Sequence, residues 1–491
     1  MIKFIIICIE DSSTDPMAKS RNFDINDNTK SPARLIFLLA WPVFLEQIFT
    51  TLVSYADTAM VGALGKNATA SVSISNSPIF LMNGVIMALG VGITTLVAQA
   101  TGAGEKALVK KLIRHAIMII LYLGIPITAV IALLHRAIPQ WMGADPEILD
   151  TAAQYNLIVS AGRLFALMSM TLNSVFRGYG DTRTPLKANL TTNIVNVIGN
   201  YFLINPTHEV TLFKRFSFMM PGAGWGVAGA AAATAISMFI GGMFTLLVAF
   251  FRKNGFEVSQ KESYRIDWKL MKKIFRISLP AMLERIFMST SGIFVTRSVA
   301  TLGTASVAAN SLALTAESMS FMPGFAFQMA TTTLVGQSIG ANRIDRAKVF
   351  TRTTCLIATI VMLFTGAVLF LFAPQLLSIF TPDAEVIEIG SAYLRVVGFL
   401  QVPQVLCWVL GGALRGAGDT KYNFYITAAT NWGIRTLFSI IAIRVLGMQL
   451  VAIAYICIIE GVVRLALLYV RYRRGKWIEI GQRMNAEKIS A

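Results

Sequence analysis

The chain has 491 residues, 55% of them hydrophobic and only 14% charged, with a formal net charge of +17. That balance excludes an ordinary soluble globular protein. Four cysteines without framework spacing, three scattered histidines (His115, His135 and His208) and the lack of a Gly-x-x-x-x-Gly-Lys-Ser/Thr loop speak against a disulfide scaffold, a metal or histidine enzyme and an ATPase.

Residues 1–33 begin with an apolar run too short for a signal-peptide core, broken by Glu10, Asp11 and Asp15, and are read as a cytoplasmic tail. From residue 34 onward, apolar runs of about 20 residues, enough to cross some 30 Å of hydrocarbon as helix, recur about twelve times. They centre near residues 48, 84, 122, 162, 196, 238, 286, 320, 360, 400, 434 and 460. Runs of this length do not suit barrel strands, so the expectation is an all-α membrane protein.

The first span holds Glu46 and Asp57, and ionisable groups inside a membrane mark function by default. Eleven residues at about 100° each leave them roughly 20° apart, on one stripe with Thr50 and Ser54, while Pro42 bends or starts the helix. Such a stripe points to a partner helix or a wet cavity. In the fifth span, Asn193, Asn196 and Asn200 stack at spacings of three and four, and their amides could surround the Asp57 carboxylate, with carbonyl oxygens suited to sodium. The sixth span adds the hydroxyl of Thr234 within the small-residue run 228–235, a run suited to close helix packing.

The positive charge follows the loops. Basic residues crowd every second connection, as with Lys106, Lys110, Lys111 and Arg114, or Arg343, Arg346, Lys348 and Arg352, whereas the loops holding Asp145 and Glu147, or Asp383 and Glu385, carry few. This is topology control and calls for no nucleic acid. It places the basic loops and both termini in the cytoplasm and leaves anionic lipid as a secondary partner.

The second half repeats the first at an offset of 238: Pro42 matches Pro280, Glu46 matches Glu284, Gln99 matches Gln337, and Arg177-Gly178-Tyr179-Gly180-Asp181-Thr182 matches Arg415-Gly416-Ala417-Gly418-Asp419-Thr420. An even number of spans per copy makes the repeats parallel. The expected layout is therefore a six-helix lobe over 34–252, a cytoplasmic linker over 253–268, a second six-helix lobe over 269–472 and a cytoplasmic tail over 473–491. The paired Arg-Gly-x-Gly-Asp-Thr segments are expected to be rigid helix turns, in which glycine ends one helix and aspartate or threonine caps the next.

The repeat also separates scaffold from site. Asp57, Asn196 and Asn200 correspond to Val295, Ile434 and Phe438, while Arg435 replaces Val197. Ion chemistry is thus assigned to Asp57, Asn193, Asn196, Asn200 and Thr234 of the first lobe, and a different polar network, Glu284 or Glu317 with Arg435, to the second. Candidate cavity residues are Glu46, Gln47, Glu284, Met288 and Glu317; the Glu46 and Glu284 pair could equally hold a kink or a gate. The chain's 22 methionines and 31 phenylalanines suit greasy cations.

Pro42, Asp57-Thr58 with the following Val61-Gly62-Ala63-Leu64-Gly65, Gln99-Ala100-Thr101-Gly102, the duplicated Arg-Gly turns and Asn193 through Asn200 resemble the multidrug and toxic compound extrusion (MATE) family over residues 34–472. The resemblance implies two six-helix lobes working by alternating access, with export of organic cations or other amphipathic compounds against sodium or protons. It implies no cofactor, and a cation site at the aspartate matched by Asp57, where Na⁺ could bind, with Asn193 and Asn196. The chain departs where many prokaryotic members carry a second acid near the end of the fifth span and this one has Asn200, which leaves Na⁺ or H⁺ open. The expected setting is a bacterial inner membrane and the expected state a monomer. Flippases of lipid-linked oligosaccharides are the rival; Arg163, Arg297 and Arg435 are the residues that would serve one.

Overall fold

The computed structural model describes residues 31–212, 216–251 and 265–489. The tail expected over 1–33 and the linker expected over 253–268 lie outside these residues, apart from the few next to a helix.

Among the described residues, twelve long helices cross the fold: α1 Pro32–Gly62, α2 Lys66–Gly102, α3 Lys106–Leu133, α4 Pro146–Tyr179, α5 Arg183–Ile204, α6 Gly226–Phe251, α7 Trp268–Val299, α8 Thr304–Gly340, α9 Ile344–Leu371, α10 Ala384–Gly416, α11 Thr420–Val445 and α12 Val451–Arg473. Nine of them are long and apolar enough to span a bilayer on composition alone; α5, α7 and α8 are the exceptions. Those three carry the asparagine column, a run of basic residues with Glu284, and Glu317, and this polarity lowers their hydropathy below that of the other spans.

Local signals set the ends. The Ser31 hydroxyl accepts from the Arg34 amide and Pro32 opens α1, a cap and a helix-compatible φ at the right places. Asp267 caps α7 through the amides of Lys269 and Leu270, and Asp383 caps α10 in the same way. After α4 and α10 the chain reverses at Gly180 and Gly418, with φ of 94° and 89°, where a side chain would be strained. The two Arg-Gly segments are the tight turns that their composition implies.

The repeat is visible in the elements. α2 and α8 begin and end 238 residues apart, as do α3 and α9. Symmetry breaks after α5, where an antiparallel hairpin of β1 (Pro206–Leu212) and β2 (Phe216–Ala223) precedes α6. The second half passes from α11 to α12 within a few residues. The helical expectation therefore describes the spans, and this hairpin is an addition that it omitted. The stretch expected as a C-terminal tail instead forms helix α13 (Lys476–Ile489), held by Trp477, which is fully buried and stacks on Tyr472 at 5.1 Å between ring centroids.

The lobes exchange the N-terminal parts of their first helices. Leu35, Ile36, Leu39 and Val43 of α1 are buried in one cluster with Phe327 and Leu334 of α8, Phe350 of α9 and Val405 of α10. Conversely, Leu270, Ile274 and Ile277 of α7 join the core of α2, α3 and α4. Beyond Pro42 and Pro280 both helices become more exposed, at Phe49, Leu52 and Tyr55 on one and Phe287, Ile293 and Phe294 on the other.

Four hydrogen bonds close the basic side between the lobes. Thr95 Oγ1 and Gln99 Nε2 of α2 donate to the carbonyls of Arg415 and Gly416, at 2.9 and 3.0 Å. Their repeat mates Thr333 and Gln337 of α8 donate to Arg177 and Gly178, at 2.9 and 3.1 Å. A Cβ on Gly102 would strike the Gln337 carbonyl, and one on Gly340 the Gln99 carbonyl. The glycine of each Gln-x-x-Gly segment is what lets α2 and α8 approach this closely.

Candidate functional site

α1 and α5 run side by side and share two polar rungs. In the inner rung, Glu46 is 4% exposed and its Oε1 accepts from Arg177 Nη2 at 2.5 Å and from Asn189 Nδ2. In the outer rung, Asp57 Oδ1 accepts from Asn200 Nδ2 at 2.5 Å. Both asparagines stand 143 residues after their acid, and eleven residues of helix separate the rungs by about 16 Å.

The outer rung continues inward. Asn200 Nδ2 also donates to Asn196 Oδ1 at 3.3 Å, and Asn196 Nδ2 donates to Thr234 Oγ1 at 3.3 Å. Tyr155, on α4, stands against this chain beside Asn76, Thr234 and Asp57, with Arg163 one step behind it. Asp57, Asn196, Asn200 and Thr234 are therefore brought together. Asn193 lies on the same helix but its buried Nδ2 has no partner. Neither does Asn200 Oδ1, a fully buried carbonyl oxygen next to a carboxylate. The carbonyl of Asn200, the carboxylate of Asp57 and the hydroxyl of Thr234 are the oxygens here that could hold a small hard cation. A proton on the carboxylate would be the other way to settle the buried charge.

The residues considered for cavity lining sit differently. Glu46 and Glu284 are both buried in ion pairs: Glu284 Oε1 accepts from Arg415 Nη2 at 2.8 Å, with Asn423 donating to both carboxylate oxygens and Thr427 reaching Oε1 at 3.4 Å. These acids pin the Arg-Gly turns to α1 and α7, with an arginine absorbing the charge, a brace that the sequence reading of cavity lining, kink or gate did not name. Gln47 and Met288 are half-buried on α1 and α7. Glu317 is 5% exposed on α8.

Around Glu317 the second lobe builds its own cluster. Arg435 has Glu317, Tyr393, Cys457 and Glu460 as electrostatic neighbours. Glu460 accepts from Thr430 at 2.8 Å and pairs with Arg464 at 3.5 Å, and Arg464 donates to Gln404 at 2.7 Å. Arg435 sits in a π-helical turn, Asn431–Thr436, the local widening that brings its side chain inward. Two acids and two arginines here balance one another, while Asp57 is contacted by neutral amides.

Sequence reasoning did not find Tyr155, Asn189, Glu460 or Arg464, and it read Arg177 and Arg415 as helix-ending residues only. A signal for the arginines was available: the Glu-to-Arg separation is 131 residues in both copies. Nothing comparable marks Tyr155, which is one aromatic among many in an apolar run.

The MatE family model matches residues 42–202 and 280–441, one stretch in each lobe. A probable multidrug resistance protein NorM of Thermotoga maritima is 29% identical over 442 residues, 89% of this chain and 92% of that protein. The uncharacterized transporter YisQ of Bacillus subtilis is 24% identical over 446 residues, 91% of this chain and 95% of that one. Among solved structures, a MATE protein in the bent conformation superposes with a TM-score of 0.82 at 22% identity, over 93% of this chain and 98% of that chain. An outward-facing multidrug resistance MATE family transporter gives 0.81 at 24% identity, over 91% of this chain and 97% of that chain.

Proposed function

The chain belongs to the MatE family of multidrug and toxic compound extrusion transporters, and from that premise we propose that it is a secondary antiporter exporting organic cations or other amphipathic compounds in exchange for Na⁺ or H⁺. The observation that carries the reading is Asp57 held by Asn200, beside an orphaned carbonyl oxygen and with no base paired to it among the described residues. A cation arriving there finds an uncompensated carboxylate. Its binding favours whichever lobe arrangement holds it better, and by linkage drug release and ion capture then work against each other through one equilibrium. The substrate class follows the multidrug resistance name of the Thermotoga maritima relative.

The protein would act as a monomer in a bacterial plasma membrane with its basic loops in the cytoplasm, needing no cofactor and no nucleic acid. Efflux of ethidium from proteoliposomes, with sodium and proton gradients imposed separately, tests the proposal. One gradient should drive efflux and the other should not. Ethidium movement indifferent to both would reject antiport. Of the arginines that would serve a flippase, Arg435 stands among acids, while buried Arg163 has Tyr155 as its neighbour and a buried Nε without a partner among the described residues; complementation of a wall-synthesis defect by this chain would favour that reading.

A further inference from the structure

On the outer flank of the second lobe, α9, α10 and α12 leave a groove of about 700 Å³, walled by Leu406, Leu410, Val462, Leu465 and Ala466. Its volume falls in the roughly 300–1,000 Å³ range of small-molecule sites. At one end stand Lys348 and Arg352, one turn apart near the start of α9, on the side of the basic loops. A second cavity of about 250 Å³ shares Lys348, Tyr469 and Tyr472 with the groove and adds Arg473 and Gly475 at the corner between α12 and α13. The two cavities thus adjoin at Lys348, with cations at the shared end and an apolar trough beyond.

The charge there is unspent. Lys348, Arg352 and Arg473 have no ion-pair partner among the described residues, and no acid lines either cavity. The same slot in the first lobe is closed: Ile117 and Met168, the repeat mates of Cys355 and Leu406, are buried, whereas Cys355 and Leu406 remain half-exposed. There the α7 end also lies across α3, with Lys111 paired to Asp267 and the Asp267 amide donating to His115 Nε2 at 3.0 Å. The second lobe keeps open what the first has filled.

We propose that this groove is a binding site for an anionic phospholipid, with the phosphate held by Lys348, Arg352 and Arg473 and an acyl chain lying along Leu406, Val462 and Ala466. Three cations around one phosphate would supply charge complementarity, and Tyr469 and Tyr472, which line both cavities beside them, carry the amphipathic rings that suit a headgroup region. α13 closes the chamber through the Trp477 stack on Tyr472. Lipid binding should therefore order the α12 to α13 corner.

The test uses the full chain in detergent, titrated with phosphatidylglycerol, phosphatidylcholine or inorganic phosphate and followed by native mass spectrometry and thermal unfolding. Phosphatidylglycerol should be retained and should raise the melting temperature. Replacing all three cations by alanine should weaken its retention by roughly a hundredfold, the product of about fivefold for each surface charge. Val462→Trp, at a half-exposed position, should block the trough with the cations intact and so also lose the lipid; it decides the matter if the triple variant does not fold. Equal retention of phosphatidylcholine, equal stabilisation by inorganic phosphate, or normal phosphatidylglycerol binding by Val462→Trp would each overturn the proposal.

Discussion

The outer half of α1 with α5 and the outer half of α7 with α11 are copies of one arrangement that have drifted apart chemically. In the first pair Asp57 meets Asn200; at the corresponding positions of the second stand Val295 and Phe438, and the nearby polar contact is Ser291 with Thr436. The second lobe's acids, Glu317 and Glu460, lie elsewhere, on α8 and α12, and arginines accompany them. A carboxylate beside guanidinium already has its countercharge, whereas one beside amides still attracts a cation or a proton. The same bundle thus carries an acid bonded to a neutral amide in one lobe and acids accompanied by arginines in the other.

Substitutions can break that contrast. The largest effect is expected from Asp57→Asn, which should reduce gradient-driven ethidium efflux to background while the protein still reaches the membrane; Glu317→Gln should slow efflux yet leave its gradient dependence. If Glu317→Gln alone abolished coupling, the two lobes would have exchanged roles. Next come the inner rungs, where the copies agree: Arg177→Ala and Arg415→Ala each strand a buried acid and should cost about 3–5 kcal/mol in denaturation of the purified protein. A large difference between them would show that the braces are not equivalent.

Smaller still are the interlobe bonds. Gln99→Ala and Gln337→Ala should each remove about 1 kcal/mol, and each should raise maleimide labelling of a cysteine placed in the basic-side half of the cleft by a similar amount. Unequal labelling would mean one lobe leads the opening. The smallest effect concerns Asp267, whose carboxyl the Lys111 ammonium holds below the usual carboxylate range through a hydrogen bond. A depressed value stabilises the fold above the unfolded-state pKa, so this contribution is complete above about pH 4 and fades below it. Asp267→Ala should lose about 1 kcal/mol at neutral pH, mostly from the helix cap, and Asp383→Ala, a cap without a lysine, slightly less.

Much of this could be read in the chain because its cause is local. Span lengths, caps, the positive-φ turns and the offset of 238 depend on residues near one another or on the period itself. The polar column of Asn196, Asn200 and Thr234 beside Asp57 was legible because membrane polarity is sparse enough that each such residue needs a partner. What escaped reading depends on helices distant in sequence: Tyr155 approaches from α4, Arg464 from α12, and the pairing of Glu46 with Arg177 requires knowing that the α4 turn ends against α1. The hairpin before α6 was not legible because its strands are only seven and eight residues long and are set beside much longer apolar spans.

The four bonds of the basic-side seal come in two identical pairs, and this bears on history as well as motion. A single six-helix unit with Thr, Gln and the Arg-Gly turn carries both the donors and the acceptors of that contact, so two separate copies would meet face to face across a two-fold axis through the same bonds. Joining two such copies in one polypeptide raises the effective concentration of the halves without requiring any change in that interface. It also frees the halves to differ: a homodimer must carry every residue twice, whereas one chain can hold aspartate at position 57 and valine at its mate, position 295.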